Sequence, residues 1–481
     1  MTTVETIPVP GLDDHAQDRL NALWDGLRKM QRRNRMLSAY YDGESSLRQL
    51  GIVLPQHMSG TASVLGWPER AVDALNNRCV LDGFRAAPGL DLDSLGLDSL
   101  LRENRFDVEF PQASLSSLIH GPAFLIATSG SEGEPDALIT AKDALSGAGS
   151  WDRRRRVLSD FLSLLDVNDQ GDPTHVALYL PGRVVEAARD GARWVIVNDA
   201  RHDFGVPVEP LVHQPRLDKP LGSSRINRAI RASNDRALRA VLRTEVTAEF
   251  YSVPQRILLG ADESAFQGAD GWQARLMSVW AIPDDDDAEN PRADVKEFSS
   301  ASQEPHLSQL RAEAQIFSGL SGIPVAELGL TNDTNPTSAE SYLASREPLI
   351  AKAERTTDAW APAVQRTIVR ALSILHGWSD GEAPAEVAAL RSVWRSPKYE
   401  SRSAVADAGA KQIGAAPWLA ETEVGLELLG LTPEQIERAL TEKRRAQGRQ
   451  LADMLASAAR PVPTQAPAQA STQVSDDDVA G

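Results

Sequence analysis

Three closely spaced aspartates are the residues of this sequence that come nearest to a catalytic pattern. Asp91, Asp93 and Asp98 lie in the stretch LDLDSLGLDSL, and clustered carboxylates could bind a divalent cation or act as general acid and base. No base, nucleophile or metal cluster accompanies them, and the eight histidines are scattered singly along the chain. An enzyme with a carboxylate site of this kind is therefore kept as an alternative.

A second run of carboxylates lacks the spacing of a metal site. Its members are Asp284, Asp285, Asp286 and Asp287. They show neither the alternating aspartates, nor the glycine, nor the distal glutamate of a calcium-binding loop, so we interpret them as a solvated turn. The sequence also has no phosphate-binding loop, no H-E-x-x-H, no G-x-S-x-G and no G-x-G-x-x-G. We therefore predict no cofactor, no metal and no catalytic residue.

Composition limits the partners. The 481 residues carry a formal net charge of −17, which argues against a generic nucleic-acid binder, because affinity for phosphate comes largely from Lys and Arg. One basic run, Arg153 to Arg156, could touch phosphate; a solvated surface or an intersubunit patch is the alternative reading. The single cysteine, Cys79, excludes an intrachain disulfide and suits a reducing compartment. We expect neither secretion nor membrane insertion, since no signal peptide or apolar 18-residue span is present.

The N-terminal half predicts a helix followed by a mixed unit. Apolar residues recur at helical spacing from Asp14 to Tyr41. Residues 77–220 then mix helices with strand-like runs such as AFLIAT and THVALYL. The stretch GRVVEAARDGARWVIV predicts two strands joined at Asp190-Gly191, a strong hairpin signal. The fold class predicted is α+β.

The middle of the chain predicts two helices around a small β insertion. The first helix, 222–252, carries an apolar stripe and a crowd of arginines: Arg225, Arg228, Arg231, Arg236, Arg239 and Arg243. The insertion follows, with strand candidates QRILLG, WQARLMSVWAIP and VKEF. The second helix covers about 305–320, because Pro305 is tolerated in a first turn and the apolar period continues.

A polar loop then leads into an unusually long helix. Thr337 and Glu340 form a capping-box pattern, and the helical period runs from there to Gly377. Pro348 and Pro362 are expected to interrupt and kink this helix, since proline removes a backbone donor. Glu340, Glu347, Glu354 and Asp358 share one side of it, which favours a solvated or intersubunit face. Three more helices are predicted over 400–457.

This order of elements resembles the portal proteins of tailed bacteriophages, and four stretches resemble the branch common in phages of actinobacteria. They are YYDGESSL (40–47), GVPVEPLVHQPRLDKPLGSSRI (205–226), EFYSVPQRILLGAD (249–262) and IPVAELGLTNDTNPTSAES (323–341). The resemblance covers nearly the whole chain except its extreme N-terminus and its tail. It rests on the order of the stretches, because none of them is a catalytic signature.

The resemblance implies a division of the chain into portal parts. Residues 1–221 would form the N-terminal part of an α/β wing, 222–252 and 305–322 two stem helices, 253–304 a small β-rich clip with Asp284 to Asp287 in its turn, 323–336 the tunnel loop, 337–399 the long helix and its return to the wing, 400–459 a helical crown and 460–481 a disordered tail. The loop residues expected at a DNA channel are Thr331, Asn332, Asp333, Thr334 and Asn335. The helix arginines are expected to meet carboxylates of neighbouring subunits.

The implied function is structural. Portals form a ring, usually a dodecamer, at one capsid vertex of the virion, and double-stranded DNA enters and leaves through the channel. The implied partners are other copies of the chain, DNA, the terminase large subunit, a head-to-tail connector, and the major capsid and scaffolding proteins, with assembly in the host cytoplasm. The alternatives are a monomeric helical adaptor or scaffold, or a DNA-processing enzyme.

Overall fold

The computed structural model describes residues 6–44, 64–86, 90, 92, 94–251, 256–259, 279–282, 294–297, 302–329, 339–398 and 402–458. The loop residues 331–335, the acidic turn 284–287, Thr337, Asp91, Asp93 and the tail therefore lie outside the described residues. The chain divides into two compact units, Met1–Pro397 and Lys398–Gly481. The fold is mixed helix and sheet.

The first unit contains thirteen strands and eight helices in its described ranges. The strands are β1 Leu81–Arg85, β2 Pro122–Ser129, β3 Ala137–Lys142, β4 Gly147–Asp152, β5 Val157–Val167, β6 Pro173–Leu180, β7 Arg183–Asp190, β8 Arg193–Arg201, β9 Val208–Val212, β10 Arg256–Leu259, β11 Val279–Ile282, β12 Asp294–Glu297 and β13 Arg391–Trp394. The helices are α1 Asp14–Tyr41, α2 Trp67–Asn76, α3 Leu97–Glu103, α4 Phe106–His120, α5 Arg228–Tyr251, α6 Glu304–Ser321, α7 Ala339–His376 and α8 Ala385–Ala388.

A five-stranded antiparallel sheet, in the order β4-β5-β6-β7-β8, forms the centre of the N-terminal region. The predicted hairpin is confirmed, because β7 and β8 pair from Arg183↔Arg201 to Asp190↔Arg193. The predicted helix α1 is also confirmed at both ends, and Asp13 caps its N-terminus by accepting from the Ala16 amide. Leu20, Trp24 and Leu27 of α1 pack on one face of this sheet.

The other face of the five-stranded sheet packs on a three-stranded sheet, β3-β2-β9. Alternation along β2 explains the stacking, since successive side chains of a strand point to opposite faces. Phe124 and Ile126 face the larger sheet, whereas Leu125 and Ala127 belong to the helical core on the far side. The result is a stack of four layers: helix α1, five strands, three strands, and the helices α4 and α7.

The long helix α7 forms the last of these layers, and it runs without a break through Pro348 and Pro362. Both prolines are exposed, so the ring and the missing donor face solvent. Meanwhile Trp360 and its neighbours along the buried face are fully covered. Burial of that face, at about 25 cal/mol per Å² of apolar surface, opposes the cost of a mid-helix proline, about 3 kcal/mol.

Helix α5 begins at Arg228, not at Gly222 as the sequence predicts. The reason is a cap that the apolar pattern does not reveal. The Asn227 side chain accepts from the amides of Ala229 at 2.9 Å and Ile230 at 3.1 Å, which satisfies donors that the first turn leaves unpaired. Residues up to Asn227, including Arg225, therefore precede the helix.

Three short strands lie in sequence between α5 and α6, as the sequence predicts. They form one sheet in the order β11-β10-β12, with β10 parallel to β11 and antiparallel to β12. The two helices that bracket this insertion pair with each other. Arg236 contacts Glu313, Arg243 contacts Gln309 and Thr247 contacts His306. Residues further along α5 thus contact residues nearer the start of α6, so the two helices are antiparallel.

The second unit is helical in its described part. Its helices are α9 Arg402–Ala415, α10 Glu423–Leu428 and α11 Pro433–Ala458, with a 3-10 turn at Pro417–Glu421. Thr432 and Gln435 form a reciprocal capping box at the start of α11, at 3.1 and 3.4 Å. A Cβ atom on Gly409 would lie 2.1 Å from the Leu428 carbonyl oxygen, so this α9–α10 contact requires glycine.

Candidate functional site

The two chain segments that flank the predicted polar loop are held together at its base. Before the loop, Val325–Leu328 forms a 3-10 turn that ends at Gly329 with φ 78°. After the loop, α7 begins at Ala339. The loop residues themselves lie outside the described residues, so the site is built from these two flanks.

Glu327 joins the flanks. Its carboxylate accepts from Arg346 Nε at 2.8 Å and from the Tyr342 hydroxyl at 3.2 Å, and Arg346 also donates to that hydroxyl at 2.8 Å. The Arg346 guanidinium lies over the Tyr342 ring, 4.6 Å from its centroid. Two cations of the α2 region, Arg70 and Arg78, stand 3.8 and 3.9 Å from the same carboxylate.

This arrangement makes the base of the loop a rigid clamp. The Glu327 side chain is 10% exposed, so its charge is largely removed from water and requires the surrounding donors. Because Glu327 lies before the loop and Tyr342 and Arg346 lie after it, their contacts fix the distance between the loop ends. We call Glu327, Tyr342 and Arg346 the base clamp.

The helix end from which the chain leads into the base clamp is bound by a buried arginine. Arg225 is 4% exposed; its Nε donates to the Ala71 carbonyl of α2 at 3.2 Å, and its Nη2 donates to the Ser321 carbonyl at the end of α6. Burial lowers the pKa of Arg225 to about 10. The expectation that Arg225 faces a neighbouring subunit is thus wrong: this guanidinium is enclosed within its own protomer.

Two further basic groups gather at the same helix end. Lys352 of α7 donates to the carbonyls of Leu320 at 3.4 Å and Ser321 at 3.3 Å, and burial, with the charge of Arg225, lowers its pKa to about 8. His213 is fully buried, and burial, followed by the charges of Arg225 and Lys352, lowers its pKa to about 3. Cations at a helix C-terminus are favourable because the carbonyl end of the helix dipole is negative.

The other predicted arginines divide into two groups. Arg231 lies over the Tyr40 ring at 5.7 Å, Arg236 pairs with Glu313 at 2.8 Å and Arg243 donates to Gln309 at 3.3 Å, all within the protomer. Arg228 is exposed and Arg239 half-buried. Within the described ranges, neither of these two forms an ion pair.

The structure also reveals a buried carboxylate that the sequence did not single out. Glu209 of β9 is 4% exposed and accepts from Arg366 and Arg370 of α7, each at 2.8 Å. This pair of arginines fixes the long helix on the three-stranded sheet. The sequence gives no local signal for it, because Glu209 lies 157 and 161 positions from its two partners.

Of the three carboxylates considered for catalysis, the structure describes one. Asp98 lies exposed in the first turn of α3, and its two companions are outside the described residues. Among the residues that the structure describes, no group of three or more His, Cys, Asp or Glu side chains is placed to hold a metal ion. None of the helices in those ranges combines the length and apolar character needed to cross a membrane.

Comparison with known proteins identifies the family. A family model described as "Phage portal protein, SPP1 Gp6-like" matches residues 21–449. The chain belongs to this family of phage portal proteins. It is 25% identical over 435 residues to the "Portal protein" of Mycobacterium phage L5 and 25% identical over 434 residues to that of Mycobacterium phage D29, each match covering 85% of both chains.

Chains of solved particle necks also match, with low TM-scores. A chain of "Neck of empty GTA particle computed with C6 symmetry" matches with a TM-score of 0.43 and 18% identity, covering 81% of this chain and 95% of that one. A chain of "Neck of native GTA particle computed with C12 symmetry" matches with a TM-score of 0.39 and 17% identity, covering 84% and 99%. The role assigned by the family name is a structural component of the phage capsid.

We predict that Glu327→Gln weakens the base clamp. The substitution removes the charge that the donors require, so we expect the free energy of unfolding to fall by about 1–3 kcal/mol and amide exchange at 325–329 and 339–346 to accelerate. Hydrogen exchange and denaturant unfolding measure both. Glu347→Gln, at an exposed position of the same helix, is the matched control. Equal protection in the two variants would contradict the clamp.

We also predict that His213 makes the protein acid-sensitive. Its folded pKa is about 3 and its ordinary value 6.5, so between these pH values the unfolded chain binds more protons and stability falls as the pH falls. As the pH falls through this window, the free energy of unfolding of the wild type should decrease, relative to that of His213→Phe, by up to about 1.4 kcal/mol per pH unit. Denaturant unfolding at several pH values tests this, with the exposed His15→Phe as control. A constant difference between wild type and His213→Phe would contradict it.

Proposed function

We propose that this portal-family chain assembles into a ring, a dodecamer in the capsid, whose channel conducts double-stranded DNA during packaging and ejection. The observation that carries the proposal is the base clamp. It places a short polar segment between a two-helix hairpin and a long helix and holds both ends of that segment within the protomer. Repeated around a ring, such a segment would project into the channel.

The chemistry of the loop suits a channel through which DNA slides. Thr331, Asn332, Asp333, Thr334 and Asn335 offer small neutral side chains and one carboxylate. DNA is held tightly by Lys and Arg because they release its counterions. A lining without such cations would touch the duplex without retaining it, and the acidic balance of the chain agrees with that role.

The ring also requires contacts between copies, and two helix arginines are available for them. In the described part of the chain, Arg228 and Arg239 of α5 have no ion pair, whereas Arg231, Arg236 and Arg243 are engaged within the protomer. We propose that Arg228 and Arg239 meet carboxylates of the next subunit. A closed ring is built from such heterologous contacts, in which two different surfaces of one chain meet.

The antiparallel hairpin α5–α6 would then be the stem, with the sheet β10–β12 as the clip at its end. In this proposal the clip docks the terminase motor during packaging and the head-to-tail connector afterwards. The four-layer unit is the wing, which contacts the major capsid and scaffolding proteins. The helical unit α9–α11 is the crown.

Deleting Thr331 to Asn335 tests the channel assignment. We expect the ring to assemble normally, because the deletion leaves the base clamp and both helices intact, while nuclease-protected DNA per capsid falls strongly. Light-scattering mass reports the ring, and a packaging assay with the cognate capsid reports the DNA. Loss of the ring, or normal packaging, would contradict the assignment.

A pair of added lysines separates loop chemistry from loop length in the same assay. Asn332→Lys with Thr334→Lys keeps the length and adds attraction for phosphate, so we expect slower packaging. Gln447→Lys with Gln450→Lys adds the same charge to exposed positions of α11 and is the matched control. Equal behaviour of the two lysine pairs would show that the loop does not meet DNA.

A further inference from the structure

Four arginines form the turn between β4 and β5, Arg153 to Arg156, and all four are exposed. The turn is built by one residue: the Asp152 carboxylate accepts from the amides of Arg154 at 2.8 Å and Arg155 at 3.0 Å, and its carbonyl accepts from the Arg156 amide at 2.8 Å. The backbone of this turn, which we call the arginine tip, is therefore ordered even though its side chains lie in solvent.

One residue of the arginine tip has a backbone conformation that glycine adopts more readily than arginine. Arg156 has φ 59°, in the left-handed region. The other three hairpin turns of the same sheet place glycine in this region, because glycine has no Cβ to clash there: Gly171 with φ 82°, Gly182 with φ 74° and Gly191 with φ 59°. Residues other than glycine in this region cluster at binding and active sites, which makes the Arg156 side chain a candidate for contact with a ligand.

The charge of the arginine tip is only partly offset by its own turn, where the Asp152 carboxylate attracts Arg155 and Arg154 electrostatically. None of the four guanidinium groups forms an ion pair with a carboxylate in the described part of the chain. Asp160 of the neighbouring strand is already paired with Arg19 of α1. A net positive charge thus remains at the arginine tip, on a chain whose formal net charge is −17.

The surroundings of the tip favour a phosphate backbone over a protein surface. Protein interfaces depend on buried apolar or aromatic anchors, but beside the tip only Val157 is exposed, at 37%, and Trp151 packs partly into the core. Arginine, with its planar fork of donors, binds phosphate oxygens in pairs. A rigid tip of four arginines without an apolar anchor matches a polyanion.

We propose that Arg153 to Arg156 bind the phosphate backbone of double-stranded DNA without regard to sequence. This inference rests on the proposed function, which brings the chain together with double-stranded DNA during packaging and ejection. It adds a contact that holds DNA, in contrast to the channel loop, past which DNA slides. The neutral loop and the cationic tip therefore have opposite tasks toward the same polymer.

Binding of a short duplex to the full chain tests the proposal. Arg153→Ser, Arg154→Ser, Arg155→Ser and Arg156→Gly are combined in one variant; glycine at position 156 relieves the strain, so the variant should fold with an equal or higher Tm. The control removes four cations from exposed positions of α1 through Lys29→Gln, Arg32→Gln, Arg33→Gln and Arg35→Gln. Fluorescence anisotropy is measured between about 50 and 200 mM salt, the range over which phosphate contacts weaken.

We expect the tip variant to bind the duplex more weakly than the wild type. The slope of log affinity against log salt should become less steep by about 2 to 4, since each lost phosphate contact removes about 0.9 from its magnitude. The control should keep the wild-type slope. The proposal would be overturned if the wild type did not bind the duplex, or if both variants lost the same affinity. Displacement of the duplex by polyglutamate at the same charge concentration would also overturn it. Light-scattering mass of the same samples reports the ring independently, so binding without rings would contradict the proposed function alone.

Discussion

The structure depends on two cations, the buried Arg225 and the half-buried Lys352, which bind the last carbonyls of one helix. Arg225 and Lys352 both donate to the Ser321 carbonyl at the end of α6, where the helix dipole is negative. Arg225 also donates to α2, and Lys352 belongs to the long helix. Among the described residues, no carboxylate pairs with either cation. The lowered pKa of both groups shows that burial opposes their charges, so removal of the carbonyl partners would leave a buried charge unsatisfied.

This junction fixes the direction of the chain where function is expected. From Ser321 the backbone passes Gly322, in the left-handed region at φ 77°, and reaches the 3-10 turn that carries Glu327. The base clamp then returns the chain to α7, whose far end is held by Glu209. The helix pair, the loop ends and the four-layer unit are thus connected through a few charged contacts, each formed between distant parts of the sequence.

Elements that are specified by a local sequence pattern could be predicted from the sequence. Periodicity located α1 and the long helix, and Asp190-Gly191 located the hairpin, because these signals lie within a few residues of the element they specify. It placed the start of α5 too early, since the apolar stripe begins before the Asn227 cap. It assigned Arg225 to the polar face of a predicted helix, among arginines expected to meet neighbouring subunits, whereas Arg225 precedes that helix and donates to the end of another one.

The long helix that follows the predicted channel loop was located from the sequence, but the contacts at the base of that loop were not. The order of loop and long helix pointed to a channel loop, yet Glu327 and Arg346 were passed over, because each is unremarkable without its partner. The four arginines were noticed as a charge run, but the left-handed conformation of Arg156 is a property of the folded turn. Ion pairs between distant segments and backbone conformations arise from tertiary structure, which a single sequence does not display.

The most direct test of the central claim is negative-stain electron microscopy of the purified chain, together with its light-scattering mass, in the presence and absence of its scaffolding protein. The portal account predicts rings with a central hole and a mass close to that of a dodecamer. A homogeneous monomer or dimer under every salt condition, with and without the scaffold, would contradict it.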